Sequence, residues 1–269
     1  MNSIIVNADD LGMTPGTNKA IFQGYDYGAI TNTSIMANGD YYSEAIEELQ
    51  NRKGLGTGVH LNLTYGKALQ FNRLYNDKDG LFNLSYLSIL VKSFYDKIFL
   101  EVMEQEFEQQ IIRVIDDGVT ITHLDSHRHI HLIPNIYNIV VKLAKKYNII
   151  RIRLVEENII DSFSLSGKYN FILNGGIIKF FLLKTFSILD AHKANYYKNI
   201  KFYSILYTGV VNRDIIQKLK NSNHTYEIMV HPGYPELDIQ ITFYDDSEKN
   251  YRISKDREDE LNAVLSIVK

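Results

Sequence analysis

Short apolar runs that end in an acidic or imidazole side chain and then give way to a helical stretch recur along this chain, and nothing else limits its fold so much. Residues 3–7 are a β-branched run that opens directly into Asp9 and Asp10. Thr14-Pro15-Gly16 is turn chemistry, and residues 17–27 then read as a helix with Ala20, Ile21 and Gly24 inward. A strand over 32–36 and a helix over 43–50 repeat the unit, and a third strand over 55–61 carries His60 near its end. Residues 100–116 form a helix with Val102, Phe107, Ile111 and Val114 on its apolar side; it feeds a strand over 121–127 that ends on Asp125 and His127. Pro134 starts a helix that runs to 147, followed by a strand over 149–154 with Arg151 and Arg153 on one face. Strands over 200–207 and 226–230 follow, the latter running into His231-Pro232-Gly233, and a helix over 256–268 closes the series. Residues 63–99 lack periodicity and read as a loop and cap, and residues 156–200 as helices and loops on the exterior.

Alternating strands and helices imply a parallel α/β architecture, and the placing of the polar residues selects its version. Asp9, Asp10, His60, His127 and His231 all follow strands, whereas an open doubly wound sheet gathers its ligands at one switch point, usually beside a glycine-rich phosphate loop. No such loop pattern occurs in this sequence. The expectation is a (β/α) barrel-like fold, an incomplete or distorted TIM-type barrel, with residues 1–269 forming a single domain.

Charge and cysteine usage narrow the chemistry. Lys+Arg 29 against Asp+Glu 32 leaves a net charge of −3, which favours small or neutral ligands over nucleic acid or an anionic membrane. The cysteine count is 0, so disulfides, thiolate metal sites and cysteine nucleophiles are excluded together, and any metal is held by nitrogen and oxygen. The start of the chain lacks a signal-peptide pattern and is read as that of a cytoplasmic protein. The apolar stretch 177–189 is broken by Lys179 and Lys184 and is too short for a membrane span.

Histidine is sparse except in one place. Of 8 histidines, four fall in Thr122-His123-Leu124-Asp125-Ser126-His127-Arg128-His129-Ile130-His131. In an extended strand Asp125 and His127 point the same way. Neutral imidazole is the commonest metal ligand, so a cluster of this kind at a strand end is a candidate ligand set.

Asn7-Ala8-Asp9-Asp10-Leu11-Gly12, Gly58-Val59-His60-Leu61, the histidine segment 122–131 and His231-Pro232-Gly233, taken together and in this order, resemble the YdjC-like carbohydrate deacetylases, which include chitooligosaccharide deacetylases. Leu11 stands where that family usually has Phe, an apolar exchange. The resemblance implies a barrel-like fold, one divalent metal ion (Mg, or Zn, Mn or Co) and removal of acetyl groups from N-acetylated sugars. It implies Asp10, His60 and His127 as metal ligands, Asp9 as general base and His231 as the acid that protonates the departing amine. Two imidazoles and one carboxylate leave open coordination positions, as catalysis requires. Asp125 is expected to orient a ring nitrogen of His127 or His231 and to border the substrate site. His129 and His131 either line the sugar site, with His131 as a possible substitute ligand, or make helix-entry hydrogen bonds near Pro134. Arg151 and Arg153 read as an interior ion pair. The partner expected is a small acetamido sugar, with a homodimer admitted. Two other functions use the same residues: a metal-dependent phosphoesterase, with Arg128, Arg151 and Arg153 as the available cations, and a non-catalytic sugar-binding protein.

Overall fold

A computed structural model describes residues 4–157, 176–190, 200–203, 205, 211–221, 223–266 and 268. Among these residues six strands form one parallel sheet in the order β4-β3-β2-β1-β6-β5. They are β1 Ile4–Leu11, β2 Asn32–Ile35, β3 Gly56–Leu61, β4 Ile121–Ser126, β5 Ile200–Tyr203 and β6 Thr225–Val230. The strand order has two ends and does not close, so the incomplete version of the barrel is the one observed. The central strands are buried on both faces along most of their length.

Helices cover the faces: α1 Pro15–Asp26, α2 Tyr42–Leu49, α3 Tyr86–Tyr95, α4 Lys97–Asp116, α5 Pro134–Lys146, α6 Gly176–Asp190, α7 Arg213–Lys220, α8 Pro235–Asp238, α9 Asp246–Arg252 and α10 Lys255–Leu265. Thr14 caps α1 by accepting from Thr17 N, with Pro15 in the first turn. Asp238 ties the chain after β6 to the same helix start, accepting from the Thr14 hydroxyl at 2.8 Å and from Gly16 N at 2.8 Å.

Three elements differ from the sequence reading. Residues 63–99 contain α3 and the first turn of α4; α3 is apolar nearly all round, with Leu87, Val91, Phe94 and Tyr95 exposed, so it carries little of the polar/apolar contrast that reveals a helix. Residues 149–154 do not form a strand: they touch the sheet at one parallel bridge, Leu124 with Ile152. Helix α6 is not purely exterior, because Phe180 and Leu183 are buried. Residues 158–175 and 191–199 lie outside the described set.

β1 extends through Leu11, past the point where its apolar run ends. Its pairing with β2 shifts register between Ala8 and Leu11, and Asp10 has φ +71°. Successive residues of a regular strand face opposite ways; a bulge at this point turns both Asp9 and Asp10 into the same cavity. The loop beyond is tight, and a Cβ on Gly39 would lie 2.1 Å from Gly12 O. Gly39→Ala is therefore expected to destabilise the fold by about 1–3 kcal/mol. Urea unfolding measures this, and an unchanged midpoint would show that the contact is not tight.

Candidate functional site

The C-terminal ends of β1, β3, β4 and β6 open on a cavity of about 710 Å³. Asp9, Asp10, His60, His127 and His231 line it together, although 222 residues of chain separate the first from the last. Leu182, Leu183 and Met229 also line it.

Two imidazoles are anchored in the same manner. His60 Nδ1 lies 2.7 Å from Asp125 Oδ1, and His127 Nδ1 lies 2.6 Å from Thr64 Oγ1. Asp125 is an acceptor, so the His60 proton sits on Nδ1. The Thr64 hydroxyl donates to Asn62 Oδ1, which leaves it an acceptor for His127 as well. Each ring therefore turns Nε2 to the centre, the arrangement in which a partner fixes the tautomer of a metal-binding histidine.

His60 Nε2 is 3.2 Å from Asp10 Oδ1, a buried atom with no other hydrogen-bond partner. Two acceptors at that separation need a positive charge between them. Without a metal the charge is a proton: burial opposes it, but Asp125, Asp10 and Asp9 outweigh burial and push His60 up to about 10. His127 goes the other way, to about 4, because burial outweighs Glu248 and Asp10, so its Nε2 lone pair is available at neutral pH.

Asp10 is held well below the usual carboxylate range; burial works against ionisation, and Arg252, His60 and His231 overcome it. Asp9 is moved upward, because burial outweighs the pull of Arg153 and Asp125 adds to it. Adjacent carboxylates are thus driven apart, as unlike chemical roles require. His231 Nε2 is 3.9 Å from Asp10 Oδ2, and its backbone is held by Glu260 and Arg257. Burial first, then Arg257 and Arg252, keep its ring well below the ordinary histidine value.

Beneath the cavity, Arg153 binds Asp9 with two nitrogens at 2.6 and 2.7 Å, Asp125 at 2.8 Å and Glu227 at 2.7 Å. Arg151 adds a second contact to Glu227 at 3.2 Å, so the ion pairing expected of these arginines forms with Glu227 as a shared partner. Asp9, His60 and Asp125 also present donor atoms within 4.8 Å of one another, a geometry a cation can fill. Arg153 already brings positive charge to both of those carboxylates. Asp10 Oδ1 and His60 Nε2 face each other at 3.2 Å, and His127 Nε2 lies 3.9 Å from Glu248 Oε2.

Other residues of the histidine segment divide by position. Asp125 serves His60, not His127 or His231, and is fully buried against Ser34 and Arg153. His131 is buried with Nδ1 on Ser126 Oγ and Nε2 on Arg153 O, so it fastens the turn and does not line the cavity. His129 does line it. Arg128 and His129 both adopt left-handed φ, 56° and 58°, which turns the chain sharply after His127.

Sequence reading passed over Thr64, Ser34, Glu248, Tyr251 and Arg252. Only the last three carried a signal, since in Ser247-Glu248-Lys249-Asn250-Tyr251-Arg252 the spacing places 247, 248, 251 and 252 on one helical face.

Replacing Arg153 by Met should expose how much the network depends on it. Removing one partner of buried carboxylates typically costs about 3–5 kcal/mol. Asp125 is held well below its usual value, so its contribution is present above the unfolded pKa and lost as pH falls through the folded one. In Arg153→Met burial of Asp9, Asp125 and Glu227 loses a main counterweight, their carboxyls move upward, and the deficit should shrink between pH 7 and pH 5. Urea unfolding at both pH values tests this; an equal deficit at each would refute the electrostatic account.

The family model of the YdjC-like protein matches residues 3–267. A carbohydrate deacetylase of Listeria monocytogenes serotype 4b (strain CLIP80459) is 36% identical over 147 residues, 54% of this chain and 58% of that protein. Carbohydrate deacetylase 1 of Listeria innocua serovar 6a is 29% identical over 86% of this chain and 81% of that protein. The match to the first of these relatives thus spans little more than half of its length. Among solved structures, one described as a candidate cellobiose-phosphate cleavage protein from Enterococcus faecalis V583 has the same fold, with a TM-score of 0.64 at 22% identity, over 98% of this chain and 91% of that one. With a family model covering nearly every residue, and with its motifs gathered around one cavity, the chain belongs to the YdjC-like family.

Proposed function

We propose that this protein is a metal-dependent carbohydrate deacetylase that hydrolyses the acetamido group of a small N-acetylated sugar or short chitooligosaccharide to acetate and an amino sugar. One observation carries the reading: His60 and His127 line one cavity with Nδ1 of each fixed by a partner, and a buried Asp10 oxygen faces His60 Nε2 at 3.2 Å with no other partner. The names of the Listeria relatives support it.

Asp10, His60 and His127 would hold the ion, and the mixed N/O set suits Mg, Mn, Zn or Co. When bound, such an ion polarises a carbonyl and makes water acidic enough to attack at neutral pH. Asp9 accepts the proton of the attacking water, and its upward shift suits a base more than a strongly acidic carboxyl would. Arg153 fixes the Asp9 carboxylate from behind, so the base meets the cavity in one orientation. His231 protonates the amine as the C–N bond breaks. Its free ring is neutral at pH 7, so it relays a proton received during the reaction, accepting at one nitrogen and donating from the other. His129 lines the cavity and would touch the sugar.

The phosphoesterase reading is weakened by what holds the arginines. Arg153 is taken up by Glu227, Asp9 and Asp125, and Arg151, bound to Glu227, does not line the cavity; of the three arginines named for a phosphate only Arg128 does.

Acetate release from diacetylchitobiose, with and without a chelator, tests the reading. Chelator-insensitive release, or none from any acetamido sugar with metal present, counts against it, and phosphate-ester hydrolysis alone would favour the alternative. Asp10→Ala should lower metal affinity by about 10 to 100-fold. Asp9→Asn should keep the metal and slow turnover by on the order of 100 to 10,000-fold. Equal metal loss in both variants would contradict the division of labour. Thr64→Val, nearly isosteric, removes the partner of His127 Nδ1; metal affinity should fall about 10-fold with the fold intact. An unchanged metal titration would show that His127 needs no such anchor.

A further inference from the structure

Helix α9 turns one face to the cavity, where Ser247, Glu248, Tyr251 and Arg252 all line the wall. Arg252 is 2% exposed and is gripped along one edge: Nε donates to Glu248 Oε1 at 2.7 Å and Nη2 to Asp10 Oδ2 at 2.6 Å. Its remaining nitrogen, Nη1, is buried without a partner. The hydroxyl of Tyr251, the preceding residue, is likewise buried and unpartnered.

Neither group is loosely held. The Tyr251 ring lies 4.1 Å from the Arg257 guanidinium carbon and 5.2 Å from that of Arg252, and it meets the His231 ring edge-on at 5.9 Å between centroids. A buried donor left unmatched is costly, and a guanidinium nitrogen can only donate. Two fixed, unmatched hydrogen-bond groups on the wall beside Asp10 therefore specify an oxygen that is negatively charged or becomes so.

We propose that Arg252 Nη1 and the Tyr251 hydroxyl receive the acyl oxygen of the substrate, stabilising it as it becomes an oxyanion and then holding the carboxylate of the acetate formed. The proposal rests on the deacetylase reading and gives it a named acyl subsite. Met229, Leu182 and Leu183 on the same cavity supply apolar surface for the acetyl methyl group. Neither Arg252 nor Tyr251 exchanges a proton; both act as fixed donors aimed where charge develops.

Tyr251→Phe removes one donor and keeps the ring that Arg257 and His231 pack against. Arg252→Lys keeps a cation near Asp10 and Glu248 and removes Nη1. Acetate binding to the full-length, metal-free protein, read by saturation-transfer NMR of its methyl signal, should weaken roughly 10-fold in Tyr251→Phe, the range of one lost hydrogen bond to an anion. In the metal-loaded protein kcat should fall on the order of 100-fold in Arg252→Lys, with metal content kept and KM little changed. If Arg252→Lys does not fold, the Tyr251→Phe measurements decide. Equal acetate affinity in wild type and Tyr251→Phe, no acetate binding by wild type, or loss of activity only through KM or metal content overturns the proposal. Should wild type cleave no acetamide while acetate binding is still lost in the variants, the oxygen-binding pair stands and the deacetylase reading falls.

Discussion

Burial of like charge at one sheet edge is the constraint on which the rest of this structure depends. Asp9, Asp10, Asp125, Glu227 and Glu248 are all buried, and the guanidiniums in contact with them are those of Arg151, Arg153 and Arg252. A buried charge without an opposite is far costlier than the net stability of a domain allows. Five carboxylates against three guanidiniums leave two negative charges over, the charge of one divalent cation. The upward shifts of His60 and Asp9 are the protein's answer when protons alone must meet that excess. The excess lies where Asp9, Asp10, His60 and His127 line one cavity, which ties the electrostatics of the fold to the chemistry proposed for it.

Much of this was legible in the chain, for reasons that differ by element. β1 and β6 announce themselves by short apolar stretches, Ile4 to Val6 and Ile228 to Val230, on largely buried strands. That Asp10, His60 and His127 line one cavity could be read from their places at or just after strand ends, because strand ends on one side of a parallel sheet meet. Partners were harder. Asp125 was expected to serve His127 or His231, but β3 and β4 pair with His60 opposite Asp125, so the nearest ring is that of the neighbouring strand. Register decides this, and register is a property of two segments that no reading of one segment contains.

Residues 149–154 show the opposite failure. Alternating apolar and arginine residues mimic an amphipathic strand, and the alternation is real: Arg151 and Arg153 do share a direction, toward Glu227. What the pattern cannot show is how many backbone partners are within reach. Leu124 N donates to Arg151 O at 2.7 Å and Arg153 N donates to Leu124 O at 2.9 Å, and the pairing stops there. The segment is placed by the side-chain network it feeds more than by a ladder, which is why Arg153 reaches carboxylates of three different strands.

The left-handed turn at Arg128 and His129 belongs to the same logic. Single non-glycine residues in this region cost of order 1–3 kcal/mol each, and two in succession persist only where surroundings over-determine them. Here His131 supplies the restraint: its backbone N–H and Nδ1 both meet Ser126 Oγ, at 2.9 and 2.6 Å, and its Nε2 meets Arg153 O at 3.0 Å. His131 thus clamps the end of β4 to the chain that carries Arg153, with His127 held between the clamp and Thr64. A strand continued past Ser126 would have carried His127 along the sheet direction; the turn instead leaves it at the cavity wall with Nε2 inward. The dense histidine spacing that first marked this segment therefore combines two uses, one imidazole turned to the centre and another fastening the backbone that turns it.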